Sequence, residues 1–329
     1  MSNYDVVVFG TVNPDIVVYP SEGIKLAYSC LSISLKRAIR PAGPGGYAAI
    51  TFARLGLRTC SIDAVGKGVF GRYIKEELER FGVDTKHMIP YSGEEMFTIS
   101  IVDEKGEGGT MIAAPPSEPI FNSFQEMIYF FKNIPQGTIF YLGHWFWPYL
   151  NLVREKNIPK YEILHTIKQN GFLIALDINY KAKENPNQNE VVMLKKALEY
   201  VDVLLPNVRD AKIIAKLNSI EDIATSLLEL GPKIVGIKLG KKGSYIASKR
   251  GNVYVPSFNV KVEDTTGAGD VFGAAFTYGW LKGWDVDKIG KFANAVAAIF
   301  ISNSKLDKKF PTFNQVNEFL KLRDCQLKT

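Results

Sequence analysis

The sequence predicts an α/β protein built on a mostly parallel central sheet flanked by helices, and three observations carry that prediction. From residue 122 onward, short apolar runs alternate with amphipathic stretches at the spacing of right-handed βαβ units. The chain has 329 residues, 46% of them hydrophobic, so it can bury a large core. That length allows one large domain, one with a small appendage, or two. Residues 16–41 and 96–102 alternate loosely without a helical period, as strands or a hairpin leaving the main body would.

Taken in order, Asp5-Val6-Val7-Val8-Phe9-Gly10 is an apolar run closed by glycine, typical of a buried first strand. Thr11-Val12-Asn13-Pro14-Asp15 then places polar side chains just past the strand's C-terminal end, the edge where open parallel sheets bind ligands. A plain Asn-Pro-Asp turn explains the same residues equally well. Gly43-Pro44-Gly45-Gly46-Tyr47 is a glycine turn entering a helix that stops at Gly56, and small residues there also permit close helix packing. Residues 72–81 form the next helix. Residues 103–109, with three glycines, turn between the half-exposed strand 96–102 and residues 110–113. Buried strands follow at 138–143, 172–177, 201–205 and 234–238. Helices are expected at 123–132, 161–170, 190–200, 268–282, 286–302 and 314–322. His144-Trp145-Phe146-Trp147 follows one strand end, where the aromatics either stack on a flat ligand or pack under a loop.

The chemistry concentrates in Asp264-Thr265-Thr266-Gly267-Ala268-Gly269-Asp270, which runs straight into the apolar residues 271–276. Two glycines let backbone N–H groups converge, and the first turn of a helix leaves such donors unpaired with partial positive charge. That suits phosphate, or charge developing on a transferring phosphoryl group. A carboxylate inside the same turn would repel that anion, so Asp270 reads as a general base taking a proton from an attacking hydroxyl. The bland alternative is an N-terminal capping Asp.

Other function classes lose support. Cys30, Cys60 and Cys325 are scattered, with no CxxC pair, which fits free thiols and not a zinc site or a disulfide framework. The net charge of +6 is spread along the chain without a dense basic block, so nucleic-acid binding is not expected. No apolar run approaches the length of a membrane span and the N-terminus has no basic-then-apolar leader, so a cytoplasmic location without membrane association is expected. A GxxxxGK[ST] loop is absent, as is any G-x-G-x-x-G between a strand and a helix.

The stretch Asp264–Asp270 resembles the C-terminal signature of the PfkB/ribokinase family of sugar and nucleoside kinases, Asp-Thr-x-Gly-Ala-Gly-Asp. The resemblance extends over essentially the whole chain. It implies one ribokinase-like α/β domain over residues 1–329, with a small β-sheet lid from segments of approximately 13–42 and 95–114. A lid that closes would keep water from the phosphoryl donor. By the same resemblance, Asp270 is the base and the N–H groups of Gly267, Ala268 and Gly269 hold the transition-state charge. Asn13 and Asp15 match the family's grip on substrate hydroxyls. Gly43, Gly45, Gly46 and Tyr47 occupy its N-terminal glycine signature, with Ala42 for the first Gly and Tyr47 for a substrate-contacting Asn. Backbone contacts at Gly43 survive that change and the Asn contact does not. Lys67 replaces an Asp.

On the nucleotide side, Lys181 in Asp177-Ile178-Asn179-Tyr180-Lys181 replaces an Arg, keeping the charge but losing the bidentate fork. Asn207 and Asp210 match Asn-x-x-Glu, which organises Mg²⁺ largely through water; Asn207 is equally a helix N-cap. Lys238, Gly240 and Gly243 fall in a loop along the nucleotide phosphates. Thr265, Gly267 and Gly269 border the same phosphates, and Asn294 and Ala298 lie on the helix beside the adenine pocket. The implied cofactors are ATP and Mg²⁺. The implied activity is phosphorylation of a hydroxyl on a sugar, sugar acid or polyol, with a nucleoside kinase and a catalytically silent ligand-binding relative as the alternatives. The lid sheet's edges need cover, and a homodimer through the lid would provide it.

Overall fold

The first strand, Tyr4–Phe9, sits inside a nine-stranded sheet whose order is Gly251–Val255, Ser244–Ser248, Ile234–Lys238, Val203–Leu205, Leu173–Asp177, Gly137–Leu142, Tyr4–Phe9, Thr59–Ser61 and Val83–Asp84. The computed structural model describes residues 4–20, 35–102, 109–114, 116–145, 153, 155, 158–179 and 188–323. Every neighbouring pair from Ile234–Lys238 to Val83–Asp84 is parallel, and the last two strands at the other edge form an antiparallel hairpin.

Continuous apolar runs make these strands, as strands covered on both faces require. Along the first strand, Val6 and Val8 belong to the core under helices Gly43–Arg54, Ala268–Leu281 and Val286–Ile301. Val7 and Phe9 point to the opposite core, under Phe124–Lys132, Tyr161–Gln169 and Gln188–Leu198. The chain leaves the first strand toward Thr59–Ser61 on one side and later returns to Gly137–Leu142 on the other. The order therefore reverses between Tyr4–Phe9 and Gly137–Leu142, and beyond the carboxyl ends of that pair lies the crevice where such sheets place ligands. The backbone is tight there: a Cβ at Gly10 would stand 2.9 Å from the Gly45 nitrogen.

A smaller sheet of four strands, in the order Leu35–Ala42, Asn13–Pro20, Phe97–Val102 and Gly109–Ala114, matches the two expected strand segments. Residues 21–34 and 103–108, including Cys30 and most of the expected glycine-rich turn, lie outside the described residues. The small sheet is two-faced. Asn13, Asp15, Arg40, Thr98 and Ser100 are buried on one side. Ile39 and Ile112, each 53% exposed, are on the other. A two-stranded pairing of Ala64–Gly66 with Ile89–Tyr91 was not expected. Elsewhere the helices begin where side chains cap them: Ser123 accepts from Glu126 N, Ser219 from Asp222 N and Thr312 from Gln315 N.

Candidate active site

Gly267 sits in the left-handed region (φ 88°, ψ −2°) at the start of helix Ala268–Leu281, and its missing side chain is required twice. Its backbone angle disfavours other residues, and a Cβ would come within 2.5 Å of the Tyr47 ring. Gly269 is different, since a Cβ there would meet nothing nearer than the Lys238 ammonium at 3.6 Å. The donor count corrects one expectation. The Ala268 N–H donates to the Thr265 carbonyl at 3.1 Å, so the turn curls it inward and away from an anion. The N–H groups of Gly267 and Gly269 have no partner among the described residues.

Asp264 opens the turn and stiffens it. Its Oδ1 accepts the Thr266 N–H at 2.9 Å, and its Oδ2 takes Arg40 at 2.5 Å and Lys309 at 3.4 Å. Arg40 and then Lys309 hold this carboxyl below the usual range, against the opposing effect of burial. Asp270 closes the turn, 5% exposed, with Oδ1 accepting 2.8 Å from the Asn179 amide. Asn179 reaches it from just past strand Leu173–Asp177 in a left-handed conformation (φ 48°) that Asn tolerates better than most residues.

Beneath the turn, Asp177 is fully buried and accepts both of its short contacts from the Lys238 ammonium, each 2.7 Å. Burial pushes this carboxyl up to about 7 even with Lys238 pulling it down. Gly273 makes room for the arrangement, because a Cβ there would stand 2.5 Å from the Tyr141 hydroxyl and 2.9 Å from Asp177. Past the end of the neighbouring strand, Asn207 caps helix Val208–Ala215 by accepting the Asp210 N–H at 2.9 Å, and its amide donates to the Asp210 carboxylate at 2.8 Å.

The remaining expected residues fall into place unevenly. Asn13 is 3% exposed and donates to Thr98 Oγ1, and Asp15 is 1% exposed and accepts from Thr98 and Ser100, each at 2.8 Å. Gly43 (φ 86°) abuts the Thr11 carbonyl; Gly45 faces Asp63, and Gly46 faces Val12. Gly45 and Gly46 are buried by this contact, so their smallness serves packing. The Tyr47 ring is core, edge-on to Phe300 at 5.5 Å. Lys238 is committed to Asp177 and does not stand free beside a phosphate site. Gly240 (φ 60°) and Gly243 (φ 101°) shape the loop after it. Asn294 spends its amide on the Val255 and Pro256 carbonyls, and Ala298 is 4% exposed. Thr265 is half-buried in the turn. Trp145 is fully buried, the packing alternative, while Lys181 and Trp147 lie outside the described residues. Lys67 donates to Ser92 at the surface. Among the described residues no group of three or more His, Cys, Asp or Glu is arranged to hold a metal, and no helix is long and apolar enough to cross a membrane.

The profile of the pfkB family carbohydrate kinases matches residues 3–312 of the chain. The chain belongs to this family. It is a phosphotransferase acting on a hydroxyl group, of the sugar-kinase class. Ribokinase of Bacillus subtilis is 26% identical over 326 residues, covering 96% of this chain and 99% of the relative. The 5-dehydro-2-deoxygluconokinase of Clostridium beijerinckii is 28% identical over 286 residues, covering 83% and 81%. Among solved structures, Arabidopsis thaliana ribokinase complexed with ribose and ATP superposes with a TM-score of 0.73 at 22% identity, covering 97% of this chain and 99% of that one. An E. coli protein described as a ribokinase II, in complex with ATP and Mg²⁺, gives 0.79 at 20%, covering 98% and 100%. These likenesses agree with the ribokinase-like architecture described above.

Within this pfkB chain, Asp270 and its glycines are legible in the sequence, whereas Asp270's partner Asn179, the Asp177–Lys238 pair under the turn, and Arg40 and Lys309 on Asp264 are not. Asn179 lies within the Asp177–Lys181 stretch, whose pattern attaches no role to it. Arg40 and Lys309 carried no local signal at all.

Proposed function

We propose that this protein transfers the γ-phosphoryl group of ATP to a hydroxyl, most readily a primary one, of a sugar, sugar acid or polyol. The observation that carries the reading is a carboxylate, Asp270, fixed by Asn179 beside two unpaired backbone N–H groups, Gly267 and Gly269, at a helix N-terminus. Asp270 takes the proton of the acceptor hydroxyl as that oxygen attacks. The Gly267 and Gly269 donors, with the helix dipole, stabilise charge on the transferring group. Lys238, neutralised by Asp177, holds the floor of the turn in register.

ATP and Mg²⁺ are the proposed cofactors. The oxygens of Asn207 and Asp210 suit Mg²⁺ chemistry, but Asn207 Oδ1 already accepts the Asp210 N–H and Asp210 Oδ2 the Asn207 amide, so the pair fits a hydrated ion reached through water. When bound, Mg²⁺ supplies neutralisation of the donor phosphates. The four-stranded sheet over the crevice serves as the lid, and its exposed face, with Ile39 and Ile112, is covered in our reading by a second copy of the chain; a monomeric mass in solution would count against that last point.

The test is ADP release from MgATP across sugars, sugar acids, polyols and nucleosides, with Asp270→Asn as control. One acceptor raising wild-type turnover, with the variant silent, is the expected result. Turnover by nucleosides alone would replace the acceptor class. A compound that raises the melting temperature without turnover would favour a silent ligand-binding protein.

A further inference from the structure

Four buried polar atoms lack hydrogen-bond partners at one place, where the small sheet meets the glycine-rich turn. They are Arg40 Nε, Arg40 Nη2, Asp15 Oδ2 and Tyr47 Oη, and none has a partner among the described residues. Arg40 is 3% exposed, Asp15 1% and Tyr47 1%. Buried groups left this way are costly, and folded proteins retain few of them. Arg40 and Asp15 are direct cross-strand neighbours, with Nη2 and Oδ2 3.5 Å apart, an ion pair too long for a hydrogen bond. The guanidinium carbon lies 5.9 Å from the centre of the Tyr47 ring, and that ring underlies Gly267, three residues before Asp270.

We propose that Arg40 and Tyr47, together with Asp15, bind the acceptor and select an uncharged polyhydroxyl compound, a neutral sugar or polyol, over a sugar acid. This inference rests on the kinase reading above and narrows its substrate class. The open valences are mixed: three donor positions on Arg40 and Tyr47, one acceptor on Asp15. A hydroxyl both donates and accepts and can satisfy either kind. The other oxygen of Asp15 already accepts from Thr98 and Ser100, which leaves Oδ2 for a ligand.

Charge decides against the acid. Arg40 faces two carboxylates, Asp15 and Asp264, and Lys309 is the second cation on Asp264. Two cations and two anions balance with no ligand present. A carboxylate brought into this dry cluster would be an unmatched charge close to Asp270, which low-dielectric surroundings penalise heavily.

The experiment compares matched acceptors that differ at one carbon: ribitol against D-ribonate, and D-glucitol against D-gluconate, with D-ribose and D-glucose alongside. Turnover is followed by ADP release, and binding without nucleotide by calorimetry. The expected result is binding and turnover of the neutral member of a pair and neither for its aldonate. Tyr47→Phe removes only the unpaired hydroxyl. It is expected to raise the acceptor KM about two- to tenfold, with the KM for ATP unmoved and no loss of melting temperature. Arg40→Gln should raise the acceptor KM further. If that variant fails to fold because Asp15 and Asp264 lose their cation, Tyr47→Phe still decides. An aldonate that binds more tightly than its polyol, or a Tyr47→Phe enzyme with unchanged acceptor KM, overturns the proposal. Selective binding of the neutral compounds without any turnover would sink the kinase reading while upholding the selectivity.

Discussion

Two glycine-rich turns feed two helices that pack on the same face of the sheet, and the chain uses them in opposite ways. In the first, residues 43–46, the glycines are filled from outside: Gly43 by the Thr11 carbonyl, Gly45 by the Asp63 carboxylate, Gly46 by Val12. In the second, residues 267–269, Gly267 is filled by Tyr47, which belongs to the first helix, but Gly269 meets only the end of the Lys238 side chain, at 3.6 Å, and its N–H has no partner among the described residues. The first turn is sealed and the second is open, and the side chain that links them is Tyr47. The difference teaches that a glycine turn at a helix start is not itself a binding site. The neighbours decide whether its N–H groups stay available.

The sharpest way to test the comparison is at the open turn. Asp270→Asn is expected to lower turnover by about 10²–10⁴-fold with a melting temperature near wild type, read by steady-state kinetics and calorimetry. Full activity in that variant would leave the turn without a base. Next in size is the floor under it. Lys238→Met strands the fully buried Asp177 and should cost about 3–5 kcal/mol of stability. That loss should shrink as the pH is lowered and Asp177 takes a proton. A denaturant titration at two pH values, with Lys238→Met/Asp177→Asn as the double variant expected to recover much of the loss, checks it.

The sealed turn should fail in the other currency. A methyl at Gly45 would stand 2.6 Å from the Asp63 carboxylate, which is itself pinned by the Gly10 N–H and the Ser61 hydroxyl. Gly45→Ala is therefore expected to cost about 1–3 kcal/mol. Gly269→Ala should leave stability intact and lower kcat instead, since its nearest neighbour is 3.6 Å away. Equal stability losses in the two variants would erase the distinction.

A pH-dependent contrast lies at Asp63, whose carboxyl burial raises from 3.8 to about 7. Between those values the folded chain holds a proton that the unfolded chain has released, so stability falls as the pH rises through that window. Asp63→Asn removes this dependence. Its melting temperature relative to wild type should climb between about pH 4 and pH 7, a trend that a thermal scan series would show or refute.

Much of the fold was legible because its signals are local. Val6-Val7-Val8 is typical of a strand covered on both faces, and the seven residues ending at Asp270 carry their chemistry in consecutive positions. The donor count of the turn was not legible. Which N–H curls back onto Thr265 depends on backbone angles that Ala268 and its neighbours do not encode singly. Nor did spacing reveal that the amide of Asn294 would be consumed by Val255 and Pro256, or that Lys238 would be held by Asp177. A polar side chain's partner is chosen by the surrounding structure, and the sequence shows only that a partner is needed.

By itself, then, the sequence determined the α/β alternation, the anion-friendly turn and the carboxylate within it, because each depends on residues a few positions apart. Tertiary structure alone decided what surrounds them. Arg40 meets Asp264 across 224 positions, Lys309 meets it across 45, and Asn179 meets Asp270 across 91. Those meetings exist only once the sheet has closed, and burial there turns ordinary ionisable side chains into a charge-balanced cluster.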